Sequence, residues 1–391
     1  MDERLLLTTE EILLLENLMY LPEQRMAGLN PLKWGEGGSV GALVEGMEPG
    51  ELPVKPEEPE AGPGELPVRP EGLTVRPGEL PAGPGTAGET RNLQETSDGP
   101  GGCMAHGGWQ ELLKAIRKNH RLMEVQIYQV FRDTLPGGGG GLAAVFFHVP
   151  AREAVVAFRG TAREEWQDNF QGGGYTDAAD RVSTRQQMRA LAWFQGLGLD
   201  GYFVTVAGHS KGGNKAKYIT ILDDSVDRCL SFDGQGFSDE FVDWYQVRIR
   251  LRQSRIENHN VEQDYVHLLL NDVGTSIYYK GREYGKGEFL KNHCPNAFLL
   301  PDGQGHLHME RSCSGQTRAL YWLGTFVRAY LRSLPRRKKL DLLELLGEEA
   351  EKLAAGEPRE ALLFTFLEEQ HREMAASLGE YAFRYGQEQP E

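Results

Sequence analysis

The chain is poor in three things, and each shortage closes off a class of function. Cysteine is scarce: 391 residues carry four, Cys103, Cys229, Cys294 and Cys313, with no CxxC pair among them. Neither a disulfide framework nor a zinc site is therefore expected, and Cys229, in an apolar strand-like run, reads as a buried reduced thiol. Positive charge is short as well, with 42 Lys and Arg against 57 Asp and Glu and a net charge of −15. Nucleic acids and anionic membrane surfaces are bound through an excess of cations, so neither is an expected partner. The one basic cluster, RSLPRRKK at 332–339, reads as a solvated cap. Long apolar runs are missing too. With no stretch of about 18 apolar residues, no membrane-spanning helix is expected. The opening MDERLLLTTEEILLLENLMYL is interrupted by acids and lacks a basic n-region and a small-residue cleavage site, so the expectation is no signal peptide and a reducing cytoplasm.

Glycine and proline, in contrast, number 48 and 20 and crowd into residues 28–108. There the unit GELPV recurs as GELPVKPEEPEAGP, GELPVRPEGLTVRP and GELPAGPG. The period is too short and too poor in apolar residues to bury a core, so the segment reads as a flexible, partly polyproline insertion in one domain.

Outside it the chain alternates. TTEEILLLENLMY at 8–20 has Thr8 as N-cap, Glu three residues on, and apolar residues at helical spacing, which predicts a short amphipathic helix. WQELLKAIRKN predicts a helix, VQIYQVF and LAAVFFHV two strands around a Pro-Gly turn, and EAVVAFRG a third strand. A helix over 183–197, capped by Ser183 or Thr184, leads to the strand YFVTVAG. After a further helix come CLSFDG as a strand, DEFVDWYQVRIRL as a helix and SRIENHNVEQD as another strand. The tail from Lys338 onward reads as helical, in two segments broken at 356–358. Strands alternating with helices predict an α/β fold with a mostly parallel sheet flanked by helices.

Between YFVTVAG and the next helix lies Gly208-His209-Ser210-Lys211-Gly212. A serine hydroxyl becomes a useful nucleophile only on an exposed, strained turn beside a base and facing amide donors. G-x-S-x-G between a strand and a helix is the pattern of such an elbow, because the two glycines let strand and helix approach. A plain strand-to-helix turn is the alternative. About fifty residues earlier, VVAFRGT ends a strand in Gly160-Thr161. In an α/β hydrolase the oxyanion is held by the amide after the nucleophile, here Lys211, and by one from a loop after an earlier strand, a place that Thr161 is positioned to fill.

VAFRGT, then Glu165-Trp166-Gln167-Asp168, then VTVAGHSKGGN resemble the class 3 lipases. EEILLLENLMYL, FRGT, Gln187, GHSKGGN and FDGQGF are similar, more closely, to a bacterial branch of these α/β hydrolases, the Mbeg-like proteins. The resemblance covers about residues 5–25 and 109–330. It implies an α/β-hydrolase fold, Ser210 as nucleophile and the amides of Thr161 and Lys211 as the oxyanion hole. For the acid, the family's D-x-V-x-x-L context matches at Asp264. Asp233, at the end of the strand after the elbow helix, is the competitor; it would otherwise cap the next helix through an Asx turn. For the base, the resemblance implies His293, in LKNHCP, where the bacterial branch has a histidine. His306 and His308 in GQGHLHM are fallbacks whose H-x-H spacing lacks a third metal ligand. His267, in the apolar DYVHLLL, reads as packed, His371 as part of a charged helical tail, and His209 as structural. The Lys211 side chain is expected to reach solvent, with a contact to an anionic substrate as the alternative. Gln171-Gly-Gly-Gly-Tyr175 offers hinges without the apolar face of an oil-facing lid, which favours a soluble esterase over an interfacial lipase.

The expectation is a helix at 1–27 docked on a hydrolase domain at 109–335, the insertion at 28–108 and a helical extension at 336–391. The activity expected is cleavage of a small-molecule or lipid carboxylic ester through an acyl-enzyme, without cofactor or metal. Any protein partner is expected at the insertion or the tail. An acyltransferase or thioesterase would use the same triad, and a binding protein could have kept the fold without the chemistry.

Overall fold

A computed structural model describes residues 5–20, 38–45, 106–133, 141–160, 182–264, 266–268, 270–282, 292–302, 304, 306–316, 318–335 and 337–338. Most of the predicted insertion, the Gln171–Tyr175 stretch, Thr161 and nearly all of the predicted tail, His371 included, lie outside them.

Strands β1 (Gln126–Arg132), β2 (Leu142–His148) and β3 (Glu153–Phe158) pair antiparallel. Strands β4 (Phe203–His209), β5 (Arg228–Phe232), β6 (Ile256–Val261) and β7 (Thr275–Tyr279) then add in parallel to β3, so the seven strands lie in chain order. The sheet is mostly parallel and flanked by helices, as expected. Its register aligns Phe158 with Gly208, His209 with Phe232, and Phe232 with His259. The carboxyl ends of β3 to β6 therefore open onto one edge, where ligand sites form in such sheets.

Side chains alternate across β3 with period two. Val155 and Ala157 join a cluster with Ile12, Leu15 and Leu18, while Ala154, Val156 and Phe158 join one with Ala190, Phe194 and Ile219. The first cluster is covered by helices α1 (Thr9–Leu18), α2 (Val40–Glu45), α3 (His106–Lys118) and α4 (His120–Glu124). The second is covered by α5 (Arg185–Gln195), α6 (Lys211–Leu222), α7 (Asp239–Trp244) and α8 (Gln246–Arg252). Burying one such Leu, Ile or Phe is worth about 1.5–3 kcal/mol, which is why both faces of the central strands read as unbroken apolar runs.

Several details depart from expectation. Val40–Glu45, inside the span assigned to the insertion, form α2, whose Val40 and Val44 are fully buried; Ser39, just before it, bridges to Gln126. The Gly-Pro composition of the surrounding span hid this short apolar turn. Helix α1 has the predicted capping box between Thr8 and Glu11, but it is not amphipathic: Glu11 through Leu18 are all buried, Glu16 and Asn17 among them. It lies between the sheet face and α3, with the 295–298 turn at its side, so no face is left for solvent. The predicted single helix DEFVDWYQVRIRL breaks at Tyr245 into α7 and α8. A further helix, α9 (Arg318–Ser333), packs near 266–268.

Candidate active site

β4 runs straight into α6 with Ser210 at the junction, at φ 57° and ψ −121°. Left-handed φ is costly for a residue with a Cβ, and it persists here because the surroundings allow nothing else. A Cβ on Gly208 would stand 2.2 Å from the Gly212 carbonyl carbon, and one on Gly212 would stand 1.8 Å from the Phe158 oxygen. Both glycines of G-x-S-x-G are thus fixed by close backbone approach. The Ser210 amide donates to the Phe232 carbonyl at 2.9 Å, tying the elbow to β5.

The other motif residues brace this turn. Thr184 and Gln187 form a capping box on α5, and Gln187 Nε2 donates to Asn214 Oδ1 at 2.7 Å. Asn214 Nδ2 in turn donates to the Gly236 carbonyl at 2.8 Å, so GHSKGGN holds FDGQGF. Lys217, fully buried, donates to the Gly234 carbonyl and to Asp272 Oδ1. Lys211 is buried as well, not solvent-directed as expected, because α6 is covered along Lys211–Ile221.

At the carboxyl end of β6, Asp264 is buried. Its Oδ2 accepts from His293 Nδ1 at 2.6 Å, and its Oδ1 accepts from the Val266 amide at 2.8 Å and from His267 Nδ1 at 3.3 Å. Burial alone would push this carboxyl up, but the charge of His293 and the hydrogen bonds from His267 and His293 hold it well below the usual range, hence ionised. His267 is buried as expected, yet it is also polar-bonded: its Nε2 accepts from Gln316 Nε2 at 2.8 Å, leaving Nδ1 to donate to Asp264. The apolar run around His267 concealed this role.

Asp233, the competitor, sits in the same cluster. It has φ 44°, its Oδ1 accepts from the Val261 amide at 2.8 Å, and its Oδ1 stands 3.7 Å from His267 Nδ1. Burial, then the negative charge of Asp264, pushes its carboxyl well above the ordinary range, in the direction opposite to Asp264. It does not cap the following helix; Ser238 does, through the Phe241 amide. His308 lies on a small ribbon of β8 (Leu300–Pro301) and β9 (Leu307–His308), and exposed His306, just before β9, pairs with Asp302 at 3.1 Å. They are not brought to Asp264 or Asp233 as part of either cluster of ligating side chains found among the described residues.

Those two clusters are His209, Asp233 and His293, and Asp233, Asp264 and His267. Hydrogen bonds already occupy both ring nitrogens of His209 and of His267, so a cation would have to displace them, and the donor set does not suit a metal. His209 points behind the elbow, with Nδ1 at the Tyr20 hydroxyl and Nε2 at the His293 carbonyl. Buried Cys229 is a free thiol, pushed by burial up to about 12.

The Mbeg1-like family model matches residues 116–281, a span that includes Ser210, Asp233 and Asp264 and stops short of His293. The match agrees with the resemblance carried by FRGT, GHSKGGN and FDGQGF, all of which fall inside the matched span, and it covers somewhat less than half of the chain. Among solved structures, Lip2 lipase from Yarrowia lipolytica is 12% identical at a TM-score of 0.33, covering 50% of this chain and 76% of its own. A triacylglycerol lipase from Penicillium expansum is 14% identical at 0.27, covering 40% and 70%. The Rhizomucor miehei lipase propeptide complex is 12% identical at 0.28, covering 44% and 66%. No curated protein matches the sequence.

Proposed function

We propose that this protein is a serine hydrolase that cleaves a carboxylic ester through an acyl-enzyme, with Ser210 as nucleophile, His293 as base and Asp264 as acid. The observation that carries the reading is the 2.6 Å hydrogen bond between His293 Nδ1 and the buried, ionised Asp264. It leaves Nε2 as the ring nitrogen available to take a proton, because Nδ1 is committed as a donor. His293 takes the Ser210 proton as the hydroxyl oxygen attacks the ester carbonyl, then passes it to the leaving alcohol. In the second half it draws a proton from water as the water oxygen bonds to the acyl carbon, then gives that proton to the Ser210 oxygen as its bond to the acyl carbon breaks and the acid is freed. Asp264 holds the tautomer and stabilises the imidazolium. The main-chain amides of Lys211, at the start of α6, and Thr161, one residue beyond Gly160, stabilise the oxyanion. The chemistry needs no cofactor.

The substrate on this reading is a small-molecule or lipid ester. No helix among the described residues is long and apolar enough to cross a membrane. A reducing, cytoplasmic setting fits the free thiols. Residues 109–335 form the hydrolase domain on this reading, completed by the N-terminal helix.

A fluorophosphonate probe tests it. Wild-type protein is expected to label at one serine, and Ser210→Ala and His293→Ala are each expected to abolish labelling while remaining folded. Failure of a folded wild type to label, or undiminished labelling of Ser210→Ala, would overturn the reading.

A further inference from the structure

We propose that Tyr20, just past the end of α1, is a positioning residue of the hydrolytic centre, one hydroxyl holding the oxyanion arm and the base loop in register; this rests on the reading of Ser210 and His293 above. The Tyr20 oxygen stands 2.5 Å from His209 Nδ1 and 3.1 Å from the Gly160 nitrogen. His209 Nε2 stands 2.7 Å from the His293 carbonyl oxygen. A carbonyl can only accept, so Nε2 carries the hydrogen and Nδ1 is the acceptor. Tyr20 therefore donates to His209, and its oxygen accepts from the Gly160 amide. The chain of donors runs from the Gly160 amide to Tyr20, to His209, and on to the main chain of His293.

Each end of that chain adjoins the chemistry without touching it. Gly160 is the residue before Thr161, the proposed oxyanion donor, and its amide is anchored by the Tyr20 hydroxyl at the point where the chain leaves β3 for that donor. The space is tight: a Cβ on Gly160 would lie 2.5 Å from the Tyr20 oxygen and 3.2 Å from the Ser210 Cβ. At the other end, the His293 carbonyl belongs to the residue whose ring meets Asp264. His209 itself is buried and neighbours Ser210, and burial together with the nearby His293 lowers its pKa well below the usual histidine value, so its neutral tautomer is retained. A second tether from α1 reaches the same residue, since Glu16 Oε1 accepts from the His209 amide at 3.2 Å. The ring of Tyr20 packs edge-on to His209 at 5.7 Å between centroids. Removing only the hydroxyl would leave that packing in place while freeing both arms to drift. Misplacement of a reacting group by about 1 Å costs on the order of 100-fold in rate.

The test is Tyr20→Phe in the full chain, with the fluorophosphonate labelling rate, p-nitrophenyl butyrate kinetics and thermal melting measured in parallel. Positioning predicts that kcat and the labelling rate fall roughly 10–100-fold, with KM within about threefold of wild type and the fold retained. His209→Gln attacks the same link from the other side, since the amide can still donate to the His293 carbonyl but no longer accepts from Tyr20. The double variant should be no slower than the slower single, because both cut one chain. Wild-type labelling and turnover in Tyr20→Phe would overturn the inference and leave the proposed function standing, as would multiplicative losses in the double variant. If Tyr20→Phe does not fold, His209→Gln alone decides, by the same split between kcat and KM. A wild type that neither labels nor turns over removes the proposed function, and this inference with it.

Discussion

His293 Nδ1 stands 2.6 Å from Asp264 Oδ2, and the same carboxylate takes a second imidazole, His267, at 3.3 Å on its other oxygen. One buried anion thus orients two histidines, only one of which lies in the segment where the base was expected.

Asp264→Asn keeps the size of the side chain but presents an amide where an acceptor is needed, favouring the wrong tautomer of His293. The expected outcome is a fall in kcat of about 10³–10⁴-fold on p-nitrophenyl butyrate in protein that is still folded, with a lower melting temperature because the ionised carboxylate's contribution is lost. A loss under tenfold would move the acid role to Asp233.

Ser210 holds a left-handed backbone at φ 57° that glycine adopts freely. Ser210→Gly should therefore abolish fluorophosphonate labelling and at the same time stabilise the fold by about 1 kcal/mol, read by chemical denaturation. A destabilised variant would show that the serine side chain, and not the strain, dominates at the elbow.

Asp233 is raised by burial and by Asp264, whereas Asp264 is lowered by its histidines. For Asp233 the sign is that of a group whose folded pKa lies above its unfolded one. Its contribution to stability is whole below the unfolded value of about 3.9 and drains away as pH rises toward the folded value. Asp264 runs the other way, contributing above about 3.9 and losing its contribution as pH falls. Asp233→Asn resembles the protonated carboxyl in shape and removes one titration. Its melting temperature relative to wild type should climb as pH is raised from about 4 to about 8. A difference that stays flat with pH would mean that Asp233 is already ionised in the folded protein.

Glu153 is fully buried on β3, where it accepts from the Leu7 amide at 2.7 Å, the Thr205 hydroxyl at 2.7 Å and Arg228 Nη2 at 2.8 Å. Glu153→Ala strands all of these donors at the edge of the sheet far from Ser210. The expected cost is about 3 kcal/mol in denaturant unfolding. A cost below about 1 kcal/mol would mean that water replaces the carboxylate.

Strands β1 to β6, the capping box at Thr8 and the elbow at Ser210 were legible because each is a local pattern: alternation, a cap three residues before its partner, glycines two either side of a serine. Asp264 and His293 came from family likeness, since nothing within either segment states that residues 29 apart in the chain will meet. What sequence missed was long-range and polar. His267 looks packed because its neighbours are Val266 and Leu268, and its polar partners, Asp264 and Gln316, are visible only once β6 and the segment before α9 are folded together. Lys211 looked solvent-bound because lysine usually is; the full burial of α6 reverses that. Glu16 and Tyr20 sat in a helix read as merely amphipathic, although a Glu on its inner side was a signal of a buried polar contact in need of a partner.

Tyr20 and His209 are 189 residues apart in the chain, and His209 and His293 are a further 84. On a ribosome adding ~5–20 residues per second, the first of those separations alone is ~10–40 s of synthesis. Helix α1 therefore spends that interval without its seat, its Leu and Ile side chains uncovered and Glu16 still hydrated. The bond that closes this loop is among those of longest range in the molecule, so the centre is finished late in folding, after the strands that frame it.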